Sequence, residues 1–263
     1  MVNSTNTPST TATQAIHRYQ APSSLLADKI IMISGAGAGI GKAAALTYAA
    51  YGATVILLGR TLAKLEAVYD QIENNGHPKP AIIPMNFEGA AEQDFVEVAS
   101  VLQTEFGKLD GLLHNASELG PRTPMANYPL SAWQKLFQVN VTAPFILTQT
   151  LLPLLQSSED ASIVFTGSTV GLKGRAYWGA YAASKAANEN MVQTLADELD
   201  GNKRLRVNSI NPGPTRTRMR AEAYPAEDPA TVTAAEDIMN AYLFLMGRDS
   251  AGINGQQFNA QPG

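Results

Sequence analysis

Tyr181 and Lys185 stand four residues apart in the run AYWGAYAASKAANENM, so on a helix they share one face. A phenol titrates at about 10 in water and is a poor proton carrier at neutral pH. An ammonium held beside it favours the phenolate, so the pairing predicts a tyrosine of depressed pKa that acts as a general acid/base. The spacing by itself also arises by chance on solvated helix faces. Its neighbour adds weight: Ser168 ends the strand-like run ASIVFTGS thirteen residues upstream. A hydroxyl there could hydrogen-bond a substrate carbonyl oxygen, or simply belong to the turn TGSTVG.

A second cluster of chemically suggestive residues is SGAGAGIGK, residues 34–42, between the apolar run KIIMI and the helix-forming run AAALTYAA. A mononucleotide P-loop needs Gly, four residues, then Gly-Lys followed by Ser or Thr, whose hydroxyl holds Mg²⁺. Five residues before Gly41 stands Ala36, and Ala43 follows Lys42, so both requirements fail. Gly35, Gly39 and Gly41 instead have the Gly-x-x-x-Gly-x-Gly spacing of a turn that brings backbone N–H groups up to a pyrophosphate. Ile40 lies within that turn. A site selective for NAD would carry Asp or Glu about 20 residues further on, accepting bonds from the ribose 2′-OH. Here the second strand ends in Gly59-Arg60. A guanidinium there suits a 2′-phosphate, which predicts NADP(H) over NAD(H).

The elements that must position these residues follow from the alternation of the sequence. Strand-like runs occupy 29–34, 53–59, 81–86, 109–115, 161–167, 205–211 and 255–260, with helical runs near 40–51, 61–75, 91–106, 131–156, 178–200 and 234–247. Unbroken apolar strands separated by helices predict a Rossmann-type α/β fold: a doubly wound parallel sheet of about seven strands, covered on both faces. No linker-like stretch divides 27–263, which reads as one domain. The charged, proline-containing segment 214–233 interrupts the alternation and is expected to cover a substrate.

Composition bounds the function. The chain has 263 residues, 45% hydrophobic, with a formal net charge of -4 and no cysteine. The balance leaves no basic footprint for nucleic acid and no polybasic membrane patch. Thiolate catalysis and cysteine-ligated zinc are excluded, and His17, His77 and His114 lack the spacing of a metal site, so no metal is expected. Residues 1–26 open with a Ser/Thr/Asn/Pro-rich stretch that lacks the apolar centre of a secretory signal, and they read as a disordered tail or an arm. No apolar run reaches the roughly 20 residues of a membrane span, so the expected location is cytoplasmic.

SGAGAGIG, HNAS (114–117), Asn140, Ser168, Tyr181-x-x-x-Lys185 and NPGPTRT (211–217) resemble, in order and spacing, the short-chain dehydrogenase/reductase family over about 27–263. Within it the runs YGATVILLGR, RVNSINPGPTRT and FNAQPG look most like the YciK-type oxidoreductases. The resemblance implies hydride transfer between a nicotinamide cofactor and a carbonyl or alcohol substrate. Tyr181 would be the acid/base. Lys185 would lower its pKa and hold the nicotinamide ribose, Ser168 would orient the carbonyl, and Asn140 would anchor a proton-relaying water. Asn115 and Ala116 would pass beneath the adenosine ribose, with Pro212, Gly213, Thr215 and Thr217 at the nicotinamide end and the phosphates. Three positions depart from the family pattern: Ser34 replaces threonine, Asn86 an adenine-contacting aspartate, and Ser117 a glycine. Family members are commonly homodimers or homotetramers. A protein that senses the cofactor without turnover is the alternative, and it would be expected to lose the tyrosine or the lysine.

Overall fold

The computed structural model describes residues 16–262; the first fifteen residues of the segment read as a tail lie outside it. Seven strands form one parallel sheet in the order β3-β2-β1-β4-β5-β6-β7. They are β1 (Ile30–Ser34), β2 (Thr54–Gly59), β3 (Ala81–Pro84), β4 (Gly111–His114), β5 (Ala161–Thr166), β6 (Leu205–Asn211) and β7 (Gln257–Asn259). Every pairing is parallel, with Ile31 opposite Val55 on one side and Gly111 on the other. Strand order reverses between β1 and β4, and in open sheets of this kind ligands bind beyond the carboxyl ends at that reversal.

Alternate strand residues feed two cores. Ile31, Ile33, Val55, Leu57 and Val164 enter one, while Met32, Ile56, Leu58, Ile163 and Phe165 enter the other. Side chains alternate across a strand, so apolar residues at both parities require helices on both faces. Those helices are α1 (Gly39–Ala50), α2 (Leu62–Asn74), α3 (Glu92–Glu105), α4 (Leu130–Phe137), α5 (Ala143–Gln156), the short α6 (Thr169–Leu172), α7 (Gly179–Glu198), α8 (Arg218–Ala223) and α9 (Met239–Met246). Ile16, Leu25 and Leu26 are buried, and Tyr19 packs edge-on against Phe244. The 16–26 part of the N-terminal segment is thus packed onto the domain.

The helical run read as continuous over 131–156 is not a single α-helix. Gln138–Thr142 forms a π-helical turn between α4 and α5, with Asn140 at its centre. Pro144 has no N–H to offer the Asn140 carbonyl four residues earlier, so that carbonyl lacks its ordinary α-helical donor. The Asn188 side chain on α7 donates to it at 3.0 Å.

Candidate active site

The glycine turn closes on itself and on the loop after β4. Gly35 adopts φ 71°, and a Cβ on Gly41 would collide with the Gly35 carbonyl oxygen. Only glycine fits both places, and the packing leaves the backbone bare at the start of α1. The Ser34 hydroxyl accepts from the N–H groups of Asn115 and Ala116 at 3.0 and 3.1 Å. Serine therefore keeps the cross-strand tie that the usual threonine hydroxyl would offer. The Thr217 methyl abuts Gly39, so the 211–217 loop borders the same cleft.

The loop residues read as cofactor contacts also hold one another. The Thr217 hydroxyl caps α8 by accepting from Arg220 N–H at 3.1 Å, and the buried Thr215 hydroxyl donates to the carbonyls of Pro212 and Gly213. Gln261 donates to the carbonyls of Pro212 and Pro214 at 2.8 and 2.7 Å. Asn86 is exposed and closes a local turn through Glu88 N–H. Ile40 is partly buried in the first core.

Arg60 lies at the end of β2 as expected, but it does not stand free. Its guanidinium pairs with Glu118 at 2.6 Å, and Lys135 approaches the same carboxylate at 3.5 Å. The Glu118 backbone is held at both polar atoms by Asn140, whose side chain accepts from its N–H at 2.8 Å and donates to its carbonyl at 2.9 Å. One residue thus links the π turn to the arginine at the sheet edge. A carboxylate three residues beyond Asn115, in the loop after β4, was the signal available in the sequence.

Tyr181 and Lys185 share a face of α7 and are both buried, with the ammonium 5.6 Å from the ring centre. Lys185 donates to the Thr166 carbonyl at 2.8 Å, directly below Gly167-Ser168 at the end of β5. Asn140 also donates to the Ser184 hydroxyl at 3.1 Å, which joins the π turn to α7. The four residues read as catalytic therefore meet at one strand edge.

The electrostatics correct one expectation. Burial pushes the Tyr181 phenol up to about 12, with the Ser168 hydroxyl beside it opposing the rise. The expected depression by Lys185 is absent because the ammonium is turned to a backbone carbonyl and sits beside the ring. Burial also lowers Lys185, to about 8, against the charge of Glu189 on the next turn of the helix.

Above Tyr181 lies an aromatic wall. Trp178 and Tyr224 face each other at 6.0 Å between ring centres, with Tyr128, Trp133 and Phe137 in the same cluster. Arg122 stacks on Trp178 at 4.1 Å and donates to the carbonyls of Tyr177 and Ala223. It ties the 214–233 segment across the wall. Tyr177, at φ 68°, is held in a backbone region that costs a non-glycine residue energy.

A family profile described as short chain dehydrogenase matches residues 29–228. The oxidoreductase YciK of Escherichia coli (strain K12) is 50% identical over 93% of this chain and 96% of its own. A short chain dehydrogenase structure from Pseudomonas syringae has 58% identity and a TM-score of 0.91, covering 92% of this chain and 98% of that one. A short chain dehydrogenase from Shigella flexneri 2a complexed with NADP has 49% identity and a TM-score of 0.89, covering 92% and 100%. With a parallel seven-stranded sheet, a glycine turn at its reversal point and a Tyr-x-x-x-Lys helix at the same edge, this chain belongs to the short-chain dehydrogenase/reductase family, as an NAD(P)-dependent oxidoreductase of the YciK type.

Proposed function

We propose that the protein is an NADP(H)-dependent carbonyl reductase or alcohol dehydrogenase with Tyr181 as its general acid/base. The observation that carries this reading is the buried phenol at the carboxyl edge of the sheet, with the Ser168 hydroxyl beside it and Lys185 one turn below. The bare glycine backbone and the positive end of α1 fit a pyrophosphate. Gly35, Gly39, Ile40 and Gly41 would line that turn, and Arg60 would meet the 2′-phosphate. Asn115 and Ala116 would border the adenosine, Asn86 the adenine, and Pro212, Gly213, Thr215 and Thr217 the nicotinamide end. The bound cofactor would supply or accept the hydride.

The chain's own groups divide the remaining work. A phenol held near 12 is protonated at neutral pH and can donate to a carbonyl oxygen that gains charge. Ser168 hydrogen-bonds that oxygen, and Lys185 would hold the nicotinamide ribose and pass protons on to a water anchored by Asn140. In the reverse direction Tyr181 must first lose its proton, so alcohol oxidation accelerates with rising pH. The aromatic wall of Trp178, Tyr224 and Tyr128 favours a substrate with an apolar body beside its carbonyl. Assembly as a homodimer or homotetramer and a cytoplasmic location complete the reading; light scattering and cell fractionation test them.

The experiment is a panel of aldehydes, ketones and alcohols assayed with NADPH and NADP⁺, then repeated on Tyr181→Phe. Turnover by the native chain and its collapse in the variant are expected. Full activity in Tyr181→Phe would refute the mechanism.

A further inference from the structure

Glu189 continues the helical stripe of Tyr181 and Lys185, four residues further along α7. It is only 6% exposed. One carboxylate oxygen accepts a 2.5 Å hydrogen bond from the Ser209 hydroxyl of β6, and the other is buried without a partner. That unpartnered oxygen fills the space where a Cβ on Gly167 would fall, directly under the Gly167-Ser168 backbone. Burial pushes the Glu189 carboxyl up, and the Ser209 hydroxyl, the Gln257 side chain of β7 and the Lys185 charge oppose that rise. A buried carboxylate of this kind is costly unless it serves a charge nearby.

The titratable groups facing Lys185 are few. Tyr181 and Glu189 come from its own helix, and His114 from β4. Burial holds His114 down to about 3, so it stays neutral, and Tyr181 is neutral as well. Among these, Glu189 alone can balance the ammonium.

We propose that Glu189 is the positioning residue for Lys185: a carboxylate lodged beneath Gly167 and held by Ser209 supplies the counter-charge that keeps the lysine protonated in the buried site. Two features of the chain follow from this role. Position 167 must be glycine to leave room for the carboxylate, and Ser209 must keep its hydroxyl to favour the ionised form. The inference rests on the proposed part of Lys185 in proton transfer, but its test does not require a substrate.

The test is an NMR titration of the full chain carrying ¹³C-labelled lysine, with the Lys185 signal assigned by its loss in Lys185→Met. In Glu189→Gln the Lys185 transition should move to lower pH by about one unit, tenfold in proton affinity, as expected for removal of a close opposite charge. Glu189→Asp keeps the charge and should titrate close to the native chain. Unchanged Lys185 titration in Glu189→Gln, or equal shifts in both variants, would overturn the proposal. Should Glu189→Gln fail to fold, Ser209→Ala replaces it. A smaller shift in the same direction is then expected, and no shift overturns the assignment. Failure of the tyrosine mechanism would appear separately, as retained turnover in Tyr181→Phe.

Discussion

The two edges of the sheet treat buried charge in opposite ways. At the amino edge, Lys29 pairs with Asp160 at 2.7 Å, and Arg206 bonds Asp160, the Ser250 hydroxyl and the Gly247 carbonyl. Asp110 is bonded by Ser158, Lys108 and the Ile30 N–H. At the carboxyl edge, polar atoms of Glu189, His114, Ser117 and Asn188 are buried without partners, and Lys185 has only a carbonyl. Satisfied charges fasten helices and strands to each other. The unpartnered ones cluster instead around the carboxyl ends of β4 and β5, beside Tyr181 and Lys185. Asp160 shows the contrast in its titration: burial would raise its carboxyl, but Lys29 and Arg206 outweigh that and hold it below the usual range.

The sharpest way to break this division is at Tyr181. Tyr181→Phe keeps the ring, so the thermal midpoint and cofactor affinity should survive while kcat falls about 10²–10⁴-fold. Adding Lys185→Met should cost little beyond the worse single variant if both residues serve one proton-transfer step, as proposed. Penalties that multiply would show independent roles.

The amino edge should behave in reverse. Arg206→Ala leaves Asp160 with Lys29 alone, takes a donor from the carbonyls of Ala161, Met246 and Gly247, and should cost about 3–5 kcal/mol in denaturant unfolding, with cofactor affinity in the folded fraction unchanged. The native cluster has a pH signature. The depressed Asp160 pKa contributes stability that is present above the unfolded aspartate value and is lost as pH falls through the lower folded one. In Arg206→Ala that acid dependence should flatten. A change in cofactor affinity as large as the loss of stability would erase the distinction between the edges.

Smaller effects test the cofactor side. Arg60→Ala should weaken NADPH about tenfold and leave NADH unchanged, as expected for a charged bond to an exposed group. Equal losses for both cofactors would contradict the 2′-phosphate assignment. Smallest of all, Glu118→Gln removes the carboxylate that competes for Arg60. NADPH should tighten about two- to fivefold, the range for an exposed ion pair, and the gain should vanish in the Arg60→Ala background. A gain that persists there would place Glu118 outside the arginine's circuit.

Much of the molecule was legible without coordinates because it is written in local pattern. Apolar runs at both parities announced strands buried on two faces, and all seven appear near their expected places. The glycine spacing excluded a P-loop by register alone, and the four-residue step placed Tyr181 over Lys185. Other features depended on which distant segments meet. Pro144 carried a readable hint of the π turn at Asn140, but the side chain that donates to the Asn140 carbonyl, Asn188, comes from α7, far along the chain. Arg60 was legible as a cation at the end of a strand, but its pairing with Glu118 exists only because β2 and the loop after β4 flank the same cleft. The direction of the Tyr181 shift was misjudged for the same reason. Spacing reveals which charge is near, whereas burial depends on everything packed around it, and here burial dominates. Sequence alone determined the fold class, the glycine turn and the Tyr181–Lys185 pairing, since each is encoded within one element or its flank. Tertiary structure alone decided the charge balance around that pair, because desolvation and long-range partners exist only once the strands are assembled.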